Sequence, residues 1–168
     1  MRPHRVWLCA LLFLSLSTLS FAAPEAEWPQ WLGPDRDGKS PDTGLLKTWP
    51  EGGPPLLWKA GGIGKGYSGV AVANKMVYVT GDIGDEMVMT AFDMDGNEKW
   101  KERVDKAWEG TEDRYPGARA TPTIDGSKLY LLSCHGLLGC YSAKTGSKKW
   151  TISLPETFGS RVPGYGYS

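Results

Sequence analysis

Two stretches of the chain share one pattern: AFDMDGNEKW, Ala91–Trp100, and CYSAKTGSKKW, Cys140–Trp150. Each begins with a small residue, reaches a glycine (Gly96 or Gly146) and ends on a tryptophan. A third tryptophan, Trp58, lies in the earlier segment LLWKA, and spacings of 42 and 50 residues separate the three tryptophans. A recurrence at that period indicates a repeated structural unit of about 40 to 50 residues.

The similarity extends upstream of both stretches, so that Ser68–Trp100 aligns with Ala120–Trp150. In this alignment Tyr78 matches Tyr130, and each unit divides into four short apolar runs separated by turn residues, which is typical of antiparallel strands. The sequence therefore predicts an all-β protein built of four-stranded antiparallel units. The predicted strands are 69–72, 76–80, 87–93 and 98–104 in the first unit, and 120–124, 128–133, 137–142 and 148–154 in the second.

Both copies resemble the A-x-D-x-x-T-G-x-x-x-W motif of the PQQ-like β-propeller repeat. This tryptophan-docking motif is shared by quinoprotein alcohol dehydrogenases and by the propeller lipoprotein of the outer-membrane β-barrel assembly machinery. The opening WPQWLGPDRDG, Trp28–Gly38, is similar to the start of secreted propellers of this group. The resemblance implies a β-propeller of four-stranded blades, with about two blades present of a probable eight. The structural repeat positions that it implies are Trp58, Ala91, Gly96, Trp100, Cys140, Gly146 and Trp150.

The second copy departs from the motif at two positions. Cys140 replaces the small alanine that the first copy has at Ala91, and Ser142 replaces the aspartate that the first copy retains at Asp93. The motif is structural, because the glycine makes the hairpin turn and the tryptophan packs on a neighbouring blade. It therefore predicts the fold more strongly than the function.

The chain divides into three predicted regions. Residues 1–23 form a signal peptide, residues 24–55 form a Pro/Gly-rich N-terminal segment, and residues 56–168 form part of a PQQ-like propeller. Within the propeller we expect a closing strand at 56–60, blades at 67–104 and 119–154, and the start of a further blade at 164–168. The sequence is thus expected to be an N-terminal fragment, and missing blades or self-association would be needed to close the ring.

The first residues, MRPHRVWLCALLFLSLSTLSFAA, place two arginines before an apolar run and small residues after it, as in a secretory signal peptide. Cleavage is the favoured outcome and an uncleaved anchor is the alternative. Loss of the two arginines leaves 17 basic and 19 acidic residues, a net charge of about −2. This balance makes nucleic acid a poor partner, and we expect an exported protein, periplasmic or extracellular, with no stable membrane span after signal removal.

The long connections of the predicted blades, 81–86, 105–119 and 155–166, fall on one face, and loops over a rigid scaffold commonly carry function. The candidate binding residues on this loop face are Tyr67, Asp82, Tyr115, Arg119 and His135. Each also has a structural interpretation. An ion pair between Arg119 and a loop carboxylate, and a turn position for His135 before Gly136, are the favoured ones.

Metal and disulfide chemistry receive little support from the sequence. Asp93–Glu98 reads as an Asp-Gly hairpin rather than a calcium loop, because the later ligand of an EF-hand is not in place. A two-residue turn at His135 and Gly136 would place Cys140 opposite Leu131, too far from Cys134 for a comfortable bridge, although a disulfide stays open. No metal ligands and no catalytic residues are predicted.

Two functions remain. The first is an exported, non-catalytic propeller that binds a protein or glycan partner, with no cofactor in this chain. The second is the N-terminal part of a PQQ-dependent (quinoprotein) alcohol dehydrogenase-like enzyme, in which PQQ and calcium would act with a carboxylate base. The resemblance alone does not decide between them, and we expect the binding scaffold because no paired acidic residues, vicinal cysteines or haem motif appear in the sequence.

Overall fold

A computed structural model of the chain describes residues 27–110 and 115–168. These residues form two four-stranded antiparallel sheets and one short helix, which confirms the predicted all-β fold of four-stranded blades. Within each sheet, the strands lie in chain order. Blade 1 contains β1 (Ala71–Ala73), β2 (Met76–Ile83), β3 (Glu86–Asp93) and β4 (Glu98–Lys106). Blade 2 contains β5 (Thr123–Asp125), β6 (Lys128–Leu132), β7 (Leu137–Ser142) and β8 (Lys148–Ser153), followed by α1 (Leu154–Phe158).

The repeated motif forms the same hairpin in both blades. Ala91 lies opposite Trp100 and Cys140 lies opposite Trp150, and in each case the register shifts at the next residue of the inner strand. The turn glycines Gly96 and Gly146 have φ values of 83° and 73°, a left-handed conformation that is strained for other residues. The two copies therefore agree in strand pairing as well as in sequence.

The connection between β2 and β3 differs from the sequence prediction. Strand β2 ends at Ile83 and β3 begins at Glu86, so only Gly84 and Asp85 form the turn. The segment 81–86 is therefore not a long loop. Gly84 has φ 62°, which allows this tight turn. Asp82 consequently lies inside β2 and is 7% exposed, rather than on a surface loop.

The hairpin between β6 and β7 also differs from the prediction. Cys140 lies opposite Tyr130, not Leu131, because three residues rather than two form the turn. The Ser133 amide donates to the Leu137 carbonyl across a turn that ends at Gly136, whose φ is 87°. One extra turn residue shifts the register by one and reverses which side chains share a face. His135 occupies the turn before Gly136, as the sequence favoured.

A single helical turn, α1, lies at the start of the connection predicted as a loop. The Ser153 hydroxyl accepts a hydrogen bond from the Glu156 amide, a proline lies in the first turn, and the helix ends at Gly159 with φ 64°. Serine at the cap and proline in the first turn are the sequence signals for such a start. No helix in the described part of the chain is long and apolar enough to cross a membrane.

The core lies between the two sheets. Blade 1 contributes the face that carries Tyr78, Met87 and Met89, and blade 2 contributes the face that carries Leu129 and Tyr141. All five side chains are at most 1% exposed, and burial of apolar area at this scale is the main favourable term in blade docking. The remaining buried members of the cluster are Ala71, Ala73, Ala91, Val104, Ala118, Ala120, Ile124, Leu131 and Ala143.

The three repeat tryptophans have different surroundings. The Trp58 indole packs on Gly96 and donates through Nε1 to the Met94 carbonyl at 2.8 Å. The Trp100 indole packs in the same way on Gly146, and its Nε1 donates to the Ala143 carbonyl at 3.2 Å. Trp150, at the corresponding position of blade 2, is 46% exposed. A tryptophan from the preceding unit thus covers the hairpin glycine of the following blade in two of the three cases.

A short N-terminal strap, residues 27–29, ties the two blades together at one edge. Trp28 exchanges backbone hydrogen bonds with Val72 of β1, at 2.8 and 2.9 Å. One residue later, the Pro29 carbonyl accepts from the Ile124 amide of β5 at 2.8 Å. Because β1 and β5 are neighbours, a single extended strap satisfies backbone groups of both edge strands, which would otherwise be open to other chains.

Candidate functional site

Three tyrosines lie close together on the surface near the long connections. The Tyr67 and Tyr115 rings are 6.3 Å apart and the Tyr115 and Tyr165 rings are 6.2 Å apart, both in edge-to-face geometry. Tyr67, Tyr115 and Tyr165 are 59%, 52% and 66% exposed. We call these three residues the tyrosine patch. Exposed aromatic side chains in contact with one another are typical of binding surfaces rather than of ordinary solvated surface.

Arg119 supports the tyrosine patch from one side. Its guanidinium lies 5.3 Å from the centre of the Tyr67 ring, in cation–π geometry, and its Nη2 donates to the Tyr115 carbonyl. The carboxylate partner that the sequence favoured for Arg119 is not found among the described residues. The side chain instead fixes the relative positions of two loop segments.

A cavity of about 540 Å³ adjoins the tyrosine patch. Tyr67 belongs to both, Arg119 also lines the cavity, and Arg36 from the N-terminal segment supplies a second guanidinium to the cavity wall. The apolar part of the wall comes from one face of blade 2, where Leu132 and Leu138 contribute. This volume is in the range of small-ligand sites, about 300–1,000 Å³. The other aromatic residues of the wall are Trp31 and Tyr130.

A second group of predicted residues lies behind the loops, where Asp82 is buried and His135 is partly buried. One carboxylate oxygen of Asp82 accepts the Trp108 amide at 2.7 Å, and the Trp108 indole lies edge-on to the His135 ring at 5.2 Å. Burial raises the pKa of Asp82, although the hydrogen bond from Trp108 opposes the shift. Three buried atoms, Asp82 Oδ1, Trp108 Nε1 and His135 Nδ1, have no hydrogen-bond partner among the described residues. Ordered water is the usual partner of such groups.

Asp105, close to the end of β4, connects the blades through side chains. The Ser133 hydroxyl, which is fully buried, donates to Asp105 Oδ2, and His135 Nδ1 lies 3.7 Å from the same oxygen. Ser133 donates away from His135, so these three residues do not form the nucleophile–base pair of a hydrolase. Their arrangement stabilises the contact between the first blade and the β6–β7 turn.

The two cysteines in the described residues are free and buried. Burial raises the pKa of the Cys134 thiol to about 11, so it is protonated near neutral pH. A buried, protonated thiol is a poor nucleophile and a poor metal ligand. Cys134 is therefore a packing residue, and the disulfide that the sequence left open is not formed with Cys140.

The described residues do not fit calcium-bound PQQ. Calcium requires six to eight oxygen ligands, several of them carboxylates, whereas no aspartate or glutamate side chain contributes to the described wall of the cavity. No group of three or more histidine, cysteine or acidic side chains converges within residues 27–110 and 115–168. No catalytic step is therefore assigned to a quinone in this part of the chain.

The five candidate residues from the sequence separate into two groups. Tyr67, Tyr115 and Arg119 come together on the surface, whereas Asp82 and His135 both lie next to Trp108. The sequence did not single out Tyr165, Trp108, Trp31 or Arg36. Tyr165 lay in the segment interpreted as the start of a further blade, and Trp31 and Arg36 lay in the Pro/Gly-rich N-terminal segment. Only their neighbours in space show that they join the site.

A comparison with family models gives a match over most of the described residues. The PQQ_2 model, described as "Outer membrane protein assembly factor BamB", matches residues 50–162. The matched stretch includes both blades, Trp58 and the connection between the blades. A comparison with curated proteins finds no match.

Proposed function

Because the match covers more than half of its 168 residues, the chain belongs to the PQQ_2 family of propeller-repeat proteins, and we propose that it is an exported, non-catalytic scaffold that binds a protein partner. The tyrosine patch is the observation that carries this proposal. The family model is named after an assembly factor, and a role in protein interaction agrees with that name.

The patch has the composition of an interaction surface. Tyrosine and arginine are enriched at the centres of protein interfaces, because they combine a large apolar area with polar groups that direct binding. The patch consists of three exposed tyrosines, and Arg119 lies against one of them, Tyr67. A partner that covered these rings would remove apolar surface from water and leave the phenol hydroxyls for hydrogen bonds.

The patch is also held in place before a partner arrives. The Tyr67 amide donates to the Ala118 carbonyl at 2.7 Å, and the Gly117 amide donates to the Trp108 carbonyl at 2.9 Å. Gly66 can approach Ala118 because it lacks a side chain, since a Cβ there would lie 2.6 Å from the Ala118 oxygen. Such preorganisation reduces the entropy lost on binding.

Site-specific crosslinking tests the proposal. A photo-reactive amino acid is placed at Tyr67 or at Tyr165 in the full chain, in the cells that express it, and adducts are identified by mass spectrometry. The matched control position is Lys144, which lies in the tight turn between β7 and β8. We expect one discrete protein adduct from both tyrosine positions and none from Lys144.

Two results would contradict the scaffold. Adducts of the same protein from Lys144 would show that the crosslinks do not depend on the patch. No protein adduct from either tyrosine position, or adducts that carry only glycan, would show that a protein partner does not bind there.

Export is part of the proposal and rests on residues 1–23, which lie outside the described residues. The charge, length and small-residue boundary of this segment support its removal by a signal peptidase, with delivery to the periplasm or the extracellular space. N-terminal sequencing of the protein recovered from the cell envelope or medium tests this. We expect a new N-terminus after Ala22 or Ala23, and an intact Met1 would contradict it.

A further inference from the structure

We propose that the cavity beside the tyrosine patch binds a carboxylate that is attached to an apolar group, with Arg119 as the anchor of the carboxylate. The proposal deepens the proposed function and rests on it in one respect, namely that the carboxylate belongs to the partner protein, as an acidic side chain or a chain terminus. The carboxylate site itself rests on the cavity alone.

The charge of the cavity wall indicates an anionic ligand. Among the described side chains of the wall, those of Arg36 and Arg119 are charged, and no aspartate or glutamate side chain contributes. Arg36 Nε donates to the amide oxygen of Gln30 at 3.1 Å, a neutral partner that leaves its positive charge uncompensated. Two guanidinium groups around one concave space create a positive potential, which an anion would occupy favourably.

Most hydrogen-bond donors of the Arg119 side chain have no partner among the described residues. A guanidinium carries five N–H donors, and the one side-chain hydrogen bond of Arg119 in the described structure goes from Nη2 to the Tyr115 carbonyl. Its Nε is buried and has no partner within residues 27–110 and 115–168. A desolvated donor without a partner costs about 1–3 kcal/mol. A carboxylate can accept two parallel N–H bonds from arginine. After a small rotation of the Arg119 side chain, a bound carboxylate would accept from Nε and offset that cost.

The rest of the wall favours an apolar group next to the carboxylate. Leu132, Leu138 and the ring of Tyr130 form an apolar surface on blade 2. Thr121 adds a polar contact, because its Oγ1 accepts the Gly69 amide at 2.9 Å and its hydroxyl hydrogen remains available to donate. A cavity of about 540 Å³ accommodates a group of the size of a capped amino acid. The combination describes a terminal or side-chain carboxylate beside an aromatic or branched aliphatic side chain.

Titration with a small probe tests the carboxylate site without any partner protein. N-acetylphenylalanine is added to the full chain, and amide chemical shifts are followed by NMR, with N-acetylphenylalaninamide as the uncharged match. We expect saturable binding of the acid and binding of the amide that is weaker by at least about tenfold, since a charge-assisted bond to arginine is worth about 1.5–3 kcal/mol.

Variants locate the site. Arg119→Gln keeps the length and a donor but removes the charge, and we expect the affinity for the acid to fall by about tenfold or more. Arg103→Gln is the matched control, because Arg103 pairs with Glu86 on the outer strand of blade 1 and does not line the cavity. It should bind like the unaltered chain. Far-ultraviolet circular dichroism checks that each variant retains its sheets, and Arg36→Gln provides a second loss of cavity charge should Arg119→Gln not fold.

Equal affinity for the acid and the amide would overturn the proposal. So would unchanged affinity in the folded Arg119→Gln chain, or the absence of saturable binding by the acid. None of these outcomes affects the crosslinks at Tyr67 and Tyr165, so failure of the carboxylate site and failure of the scaffold are distinguishable.

Competition then identifies the source of the carboxylate. The crosslinking is repeated in permeabilised cells with saturating N-acetylphenylalanine. Loss of the protein adduct is the expected result and places the carboxylate on the partner. An unchanged adduct, together with intact probe binding, would assign the site to a free small carboxylate and overturn the link with the partner.

Discussion

The two blades repeat the same ring pair but give it different surroundings. Tyr78 and Trp100 in blade 1 lie 6.0 Å apart, and Tyr130 and Trp150 in blade 2 lie 6.2 Å apart, both tilted. Trp100 is part-buried against blade 2 and bonded to its backbone, whereas Trp150 is 46% exposed. The local motif therefore determines which rings pair within a blade, and the neighbouring sheet determines how much of the tryptophan is buried.

The positions where the second motif departs from the first also show that the local motif and the packing around it act separately. Cys140 is 1% exposed and Ala91 fully buried, so the larger side chain is accommodated without loss of burial or of the hairpin register. Tyr141 replaces the aligned Phe92 and is fully buried, with a phenol oxygen that has no hydrogen-bond partner among the described residues. The repeat tolerates changes in chemistry as long as the shape of each face is kept.

Truncation of the two tryptophans should have the largest effect. Trp100→Ala removes an indole that contacts Gly146 and the backbone of blade 2, and we expect a loss of about 3–5 kcal/mol in the free energy of unfolding. Trp150→Ala removes a half-exposed ring, so its cost should be about 1 kcal/mol. Denaturant unfolding of the full chain, followed by circular dichroism, measures both. Equal losses would contradict the view that the neighbouring sheet sets the energetic weight of the motif.

The glycine under Trp100 separates backbone strain from contact. Gly146→Ala places a Cβ in the left-handed conformation, 2.6 Å from the indole, and should cost about 2–4 kcal/mol. Gly126→Ala is the matched control, with φ 55° and open space around the new methyl, and strain alone should cost about 1–2 kcal/mol. The same unfolding measurement compares them. Equal costs would show that the tryptophan yields freely to an added methyl.

Alkaline titration should affect blade 2, where Cys134 and Tyr141 are buried ionisable groups. Burial raises the pKa of Cys134 to about 11 and that of Tyr141 to about 12. Between the unfolded and the folded pKa, each group stays neutral in the folded chain although it would ionise in the unfolded chain. Their contribution is therefore complete below about pH 9 and is lost as the pH rises through the folded pKa values, by about 2 to 3 kcal/mol for each group.

Unfolding free energies at about pH 8 and about pH 11 test this titration. Cys134→Ala should flatten the alkaline decline and also lower the stability at pH 8, because it removes packed volume. An unchanged slope in this variant would show that Cys134 does not contribute to the pH dependence.

The smallest expected effect comes from making blade 2 more like blade 1. Tyr141→Phe removes a buried hydroxyl without a partner among the described residues and copies the aligned Phe92. Removal of an unsatisfied polar group is neutral or stabilising, here by about 1 kcal/mol or less. Thermal unfolding decides the sign. A clear loss of stability would show that the hydroxyl has a bound partner, such as an internal water.

The sequence predicted the parts of the fold that depend on local chemistry. Glycine and aspartate mark the hairpins, alternating apolar residues mark the strands, and the tryptophans give the period, so most of the strands were predicted close to their observed bounds. The errors occurred in turns, where one residue changes the outcome. The Gly84–Asp85 turn moved Asp82 from an expected loop into a buried strand, and the three-residue turn at Cys134–Gly136 altered the pairing of Cys140.

The candidate site was predicted less completely than the fold. Tyr67, Tyr115 and Arg119 were selected because they lie in long connections or at strand entries, which is local information. Tyr165 and Arg36 are distant from them in sequence, and they join the patch and the cavity only through the way the segments fold back. A single sequence does not show which distant segments become neighbours in space. The sequence therefore identified the loop face but not the composition of the site.

The strap at residues 27–29 has a consequence for the order of folding. Each blade forms from hairpins whose strands are adjacent in the chain, and such local contacts form early. The strap bonds to Val72 and to Ile124, which become neighbours only after the blades have docked. Attachment of the strap is therefore a late step in folding. The strap must detach before the two blades can separate. The hydrogen-exchange rate of the Ile124 amide would report directly on how often the strap detaches.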